Sequence, residues 1–129
     1  MNSFVVDTNV FLRLILNDIP KQADKAEKLL KQAKAHKINL TVPQIVIFEI
    51  EYALTKYYGF PKDQVIDKLT SIVSAKYLTC QNREIFNKAI ELYKGINLSL
   101  VDCFLTAYAD KIEGKTFSFD KNLNKLLAK

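Results

Sequence analysis

Histidine is nearly absent from this chain, and that scarcity bounds its chemistry more tightly than any residue in excess. His36 is the single histidine among 129 residues, so a multi-histidine zinc site is excluded, and a serine or cysteine triad would have to recruit that one ring. It lies in Lys34-Ala35-His36-Lys37, a basic helix end where an exposed surface role is the simpler reading. Glycine is scarce as well. Gly59, Gly95 and Gly114 stand far apart, which removes both the P-loop and the dinucleotide-binding fingerprint. The two cysteines, Cys80 and Cys103, sit in apolar surroundings without paired metal spacing, and the expectation is reduced core thiols in an intracellular protein. No apolar run is long enough to span a bilayer, and no basic region precedes an apolar run at the N-terminus, so a soluble, cytoplasmic protein without membrane contact is expected. An enzyme of this composition has to work with carboxylates.

What is present fits one domain. A chain of 129 residues buries roughly two-thirds of its unfolded surface without disulfide staples. The formal charge is +5, from 19 Lys and Arg against 14 Asp and Glu, which permits a polyanionic partner without establishing one. No linker, low-complexity segment or internal repeat divides residues 1–129, and a single domain is expected.

The order of patterns is that of an α/β protein. Phe4-Val5-Val6 is a buried-strand pattern running straight into Asp7, and helical spacing through Val10, Leu14 and Ile15 starts at once. Asp7 can N-cap that helix or present a carboxylate at a sheet edge. Pro20 suits the opening of a second helix, expected to reach about His36, with Ala23, Ala26, Leu30 and Ala33 as its apolar stripe. Lys21, Lys25 and Lys28 share its opposite side, either a solvated face or a track for an RNA backbone. Ile38 to Val42 is a strand. The helix after Pro43 is expected to reach Tyr58 and to bury Val46, Ile50, Ala53, Leu54 and Tyr57. Glu49 projects about 60° from the centre of that face at the ideal helical rotation; an acid there is either functional or a boundary residue reaching water along its own stem.

Further helices are expected after Pro61, after Asn82 as a cap, and from Ser99 to Gly114, with a short strand from Tyr77 to Cys80. Ser99 and Asp102 nearly match a capping box, which would explain Asp102 without catalysis. Thr116 to Phe119 is expected to be the last strand. Asp120 follows it directly, repeating the strand-to-acid arrangement of Asp7 ahead of a terminal helix with Leu123, Leu126 and Leu127. Alternating strands and helices predict a short central parallel sheet flanked by helices, an α/β/α sandwich, with ligands bound beyond the carboxyl ends of the strands. If Asp7, Glu49, Asp102 and Asp120 converge there, their mutual repulsion calls for a cation. Oxygen-only ligation selects a hard ion, Mg²⁺ or Mn²⁺, able to activate water for phosphodiester hydrolysis without histidine.

Val-Val-Asp-Thr-Asn at the start, Val-Ile-Phe-Glu at Glu49, Leu-Ser-Leu-Val-Asp at Asp102 and Phe-Ser-Phe-Asp at Asp120 resemble the four acidic motifs of the PIN-domain nucleases. Size and order are most similar to the VapC toxins of type II toxin-antitoxin operons, over about Phe4 to Leu126. The resemblance implies a PIN-like fold and a metal-dependent endoribonuclease. Asp7, Glu49, Asp102 and Asp120 would be its metal-site and catalytic acids, with Thr8, Asn9 and Ser118 supporting them by hydrogen bonds. It also implies a homodimer, an RNA substrate and inhibition by a cognate VapB-like antitoxin. Arg13 matches an arginine position of many relatives, with a surface ion pair as the plain explanation. Two departures stand out: Asn122 occupies the place of an optional fifth acid, and Cys103 replaces the alanine usual after the third acid. An aspartyl phosphatase would need an acid where Asn9 stands, and a receiver domain one where Cys80 stands. The remaining alternative is a PIN-like module that binds RNA or protein without cutting.

Overall fold

Alternation of apolar and polar residues makes Ile38–Val42 a strand with one buried face. In the computed structural model of the chain, which describes residues 1–128, it is the middle strand of a three-stranded parallel sheet. The chain forms two compact units, Met1–Gln81 and Asn82–Lys129. The first holds β1 (Asn2–Val5), α1 (Thr8–Leu16), α2 (Pro20–Lys34), β2 (Ile38–Val42), α3 (Gln44–Tyr52), α4 (Lys62–Val73) and β3 (Leu78–Cys80). The second holds α5 (Arg83–Gly95), α6 (Leu100–Lys111) and α7 (Lys121–Leu127). The three parallel strands and seven helices among the described residues make this an α/β fold.

The strand order is β1-β2-β3, with Phe4 opposite Leu40 and Leu40 opposite Leu78. Leu40 and Val42 are fully buried, whereas Asn39 between Ile38 and Leu40 is exposed. The helices of this unit bring matching apolar stripes to the core: Ala23, Ala26 and Ala33 of α2, Val46, Ile47 and Ile50 of α3, and Val65, Leu69 and Val73 of α4 are all buried. Small alanines on α2 let it lie close to α1. In the second unit, α5 and α6 pack through Phe86 and Phe104, with ring centroids 4.8 Å apart. Cys80 and Cys103 are both buried. No helix among the described residues is long and apolar enough to cross a membrane.

Four local expectations need correction. Thr116–Phe119 forms no strand among the described residues; Phe117 and Phe119 are about nine-tenths exposed and no ladder bonds hold the segment. Apolar alternation favours an extended backbone, but a strand exists only where a neighbour pairs with it. Tyr57, expected in the core, is 74% exposed. After Tyr52 the helix changes to a π-helical turn, Ala53–Tyr57, whose wider i→i+5 closure abandons the 3.6-residue period on which the expectation rested. Tyr57 is thereby stacked edge-to-face on Tyr52, with centroids 5.7 Å apart. α2 ends at Lys34, two residues short of His36, which adopts a left-handed φ of 59°. Asn82 occupies the cap position of α5 with φ of 57°, and its side chain makes no capping bond.

The first unit depends on the centre of its sheet. Leu40→Ala should lower stability by about 2–5 kcal/mol, read as a lower urea midpoint at unchanged m-value. The exposed Lys76→Ala should stay within about 0.5 kcal/mol of wild type, and a similarly small loss for Leu40→Ala would contradict this placement of the core.

Candidate active site

Asp7 is delivered by the sheet. One residue past β1, the Val6 N–H donates to the Thr41 carbonyl at 3.0 Å, extending the parallel ladder, and the Val6 side chain is buried. The next residue leaves the sheet at its carboxyl edge. Asp7 is exposed, has extended backbone angles (φ −88°, ψ 172°), and its Oδ1 accepts from the Val10 N–H at 3.3 Å. It is therefore the N-cap of α1, and an exposed carboxylate has lone pairs beyond the one that bond uses.

Thr8 connects this acid to the second one. Its hydroxyl donates to Glu49 Oε2 at 2.8 Å, across 41 positions of sequence. Glu49 is exposed on α3, whose buried side carries Val46, Ile47 and Ile50. Asp7, Thr8 and Glu49 thus form one polar group on the surface of the first unit. Asn9 follows on the exposed side of α1. Arg13, one turn further, is largely buried and pairs with Asp18 (Nη1 to Oδ2, 3.2 Å), as a plain ion pair would. Its Nε is buried without a hydrogen-bond partner.

The second unit presents two acids, both set at helix starts. Ser99 caps α6, its Oγ accepting from the Asp102 N–H at 3.1 Å, and Asp102 is half-buried in the first turn. Asp120 caps α7: its Oδ1 accepts from the Leu123 N–H at 2.8 Å. Ser118 shapes the approach, since its Oγ accepts from the Asp120 N–H at 3.0 Å and its carbonyl accepts from the Asn124 amide at 2.9 Å. Asn122 is exposed beside this cap.

The local capping roles anticipated for Asp7 and Asp120 are both formed, as is half of the box anticipated at Ser99 and Asp102. Glu49 lies further into solvent than its predicted place at the margin of the core. Within neither unit do three His, Cys, Asp or Glu side chains among the described residues group so as to hold a metal ion. Asp7 and Glu49 lie in the first unit, Asp102 and Asp120 in the second.

Sequence reasoning missed a cavity of about 390 Å³ between α1 and α2, lined at one end by Asp7. Its signal was available in the spacing: Gln22, Lys25, Ala26 and Leu29 follow i, i+3, i+4, i+7 and line the cavity together.

Comparison with known proteins identifies the family. The family model described as the PIN domain matches residues 4–128. A curated relative, the VapC ribonuclease of Aquifex aeolicus (strain VF5), is 24% identical over 123 residues, covering 95% of this chain and 90% of the relative. No solved structure matches the chain significantly. A family match that runs through both units and leaves out only the first three residues and the last one means that the chain belongs to the PIN-domain family.

Proposed function

We propose that this protein is a divalent-metal-dependent endoribonuclease of the VapC type, with Asp7, Glu49, Asp102 and Asp120 acting together at one site. The observation that carries the reading is the Asp7–Thr8–Glu49 group: an exposed acid at the carboxyl edge of a parallel sheet, followed by a hydroxyl that tethers a second acid beside it. The ribonuclease named among its relatives supports the same activity.

The donors fit a hard ion. All four are carboxylates with exposed or half-exposed side chains, the oxygen donors such an ion prefers. Mg²⁺, or Mn²⁺ in its place, would be held by Asp7 and Asp102 directly, with Glu49 and Asp120 acting through water. Such an ion, when bound, makes water a stronger nucleophile and offsets the charge growing on the phosphodiester oxygens. The hydroxyl of the attacking water ends on phosphorus, the P–O bond to the leaving ribose oxygen breaks, and a proton reaches that oxygen. The protein's part is placement. Thr8 holds Glu49 in one rotamer, Ser99 fixes the turn that presents Asp102, and Ser118 sets the backbone at Asp120. The net charge of +5 draws a polyanion toward these acids.

The same reading includes a VapB-like antitoxin as inhibitor and a homodimer. Tyr52, Tyr57 and Tyr58, exposed by 53%, 74% and 44%, form an aromatic patch of the kind that self-association covers.

Purified protein with total RNA and Mg²⁺ should cleave, whereas Asp7→Asn should lose roughly 100-fold or more of the rate and a chelator should abolish it. Asparagine is as good a helix cap as aspartate, so the variant should remain folded. Equal cleavage in all three samples would remove the metal site, and RNA binding without cleavage by wild type would favour the non-catalytic module.

Thr8 has its own test. Thr8→Val should weaken Mg²⁺ binding by roughly 10- to 100-fold, seen as a smaller rise of Tm with added ion. Thr8→Ser should restore most of it, and a Thr8→Val protein with unchanged Mg²⁺ response would make the bond to Glu49 purely structural.

A further inference from the structure

We infer, building on the nuclease reading, that the cavity between α1 and α2 seats one unpaired base of the RNA, next to the phosphate to be cut. Four features of the cavity argue for this occupant. Its position is the first: Asp7 lines the same space, so a group held there is a direct neighbour of the candidate catalytic acid. Its size, about 390 Å³, falls toward the lower end of the ~300–1,000 Å³ typical of small-ligand sites.

The third feature is the division of its lining. Val10, Ala26 and Leu29 supply an apolar floor, unsuited to a phosphate and suited to the flat face of a base. Asn9 and Gln22 supply carboxamides, each with donors and an acceptor. Bases splayed from single-stranded RNA are read through such donor and acceptor edges. Among the described residues no aromatic side chain lines the space, so recognition by edge contacts is favoured over the sequence-blind stacking of general single-strand binders.

Charge is the fourth. Lys25 lies on the cavity wall, and Lys21 and Lys28, four and three residues away, flank it on the exposed side of α2, where three lysines outnumber the acids among them, Asp24 and Glu27. A base in the cavity leaves its own phosphates beside these lysines. Arg13 adds a guanidinium to the wall while its pair with Asp18 holds it in place. Gln22 is thus a base-reading residue and Lys25 a backbone-holding one.

These two roles separate experimentally. Short single-stranded RNAs differing at one base would be titrated against the full-length protein in chelator, at several salt concentrations, and the cut sites then mapped by primer extension with Mg²⁺. Gln22→Ala should cut the discrimination between bases by roughly fivefold or more, scatter the cut sites, and leave the salt dependence alone. Lys25→Ala should weaken all the RNAs alike and lower the logarithmic salt slope by about 0.7, the value for one lost phosphate contact on a single strand. The exposed Lys76→Ala should change neither. Unchanged base preference and cut sites in Gln22→Ala would overturn the assignment. So would variants that handle RNA normally but escape inhibition by an antitoxin peptide, because the cavity would then belong to that peptide. Wild type that binds with base preference but fails to cut whichever divalent ion is added would sink the nuclease reading and leave the base-binding cavity standing.

Discussion

The carboxyl end of β2 is the constraint on which the first unit's polar group depends. Its last two carbonyls accept on both sides. Thr41 takes the Val6 N–H and Val42 takes the Gln81 N–H, each at 3.0 Å. The first of these bonds sets the point at which Asp7 leaves the sheet. The second places Gln81, whose Oε1 accepts from the Gln44 N–H at 2.9 Å. That contact matters because α3 begins after Pro43, which has no side chain able to cap it. A residue from the end of β3 therefore satisfies an orphan donor at the start of the helix that carries Glu49. Asp7 and Glu49, more than forty positions apart, thus both depend on contacts made at the end of one strand.

Capping and chemistry, which compete as explanations of Asp7 and Asp120 when only the sequence is considered, are compatible in the folded chain. A cap bond to one carboxylate oxygen orders the side chain at a helix start, where the backbone dipoles favour negative charge. Ordering the acid in advance lowers the entropy that a ligand would otherwise have to remove. Asp102 reaches a similar end by another route, since Ser99 performs the capping and leaves the acid in the first turn. Asp7, Asp102 and Asp120 are thus ordered by the most local interactions a helix offers.

That locality explains what could be read in advance. The strand-to-acid junction at Asp7, the Pro20 and Pro43 helix starts, the Ser99 cap and the buried faces of α2, α3 and α4 all arise from neighbours within a few positions. The Thr8–Glu49 bond and the Gln81 contact to α3 span 41 and 37 positions, and no local pattern encodes them. Thr116–Phe119 failed for the related reason that its alternation describes a backbone ready to pair, while pairing is a property of two segments. Tyr57 failed differently. A π-helical turn changes the period in mid-helix, and Ala53-Leu54-Thr55-Lys56-Tyr57 contains neither the proline nor the glycine that would have announced a break.

Basic charge and acidic site are two halves of one requirement. A cluster of carboxylates repels RNA as surely as it repels itself, so a nuclease built on acids needs cations both at the site and around it. The bound ion would meet the first need, at a separation where charges interact strongly. Lysines meet the second only where they line the path of the substrate, because in physiological salt their influence fades over about 8 Å. Lys25, on the wall of the cavity that Asp7 shares, would satisfy that condition under the proposed function, whereas Lys76, which lies in none of these contacts, would add only to the overall charge. Where the lysines stand relative to Asp7, more than their number, therefore decides whether the charge of +5 serves recognition or merely solubility.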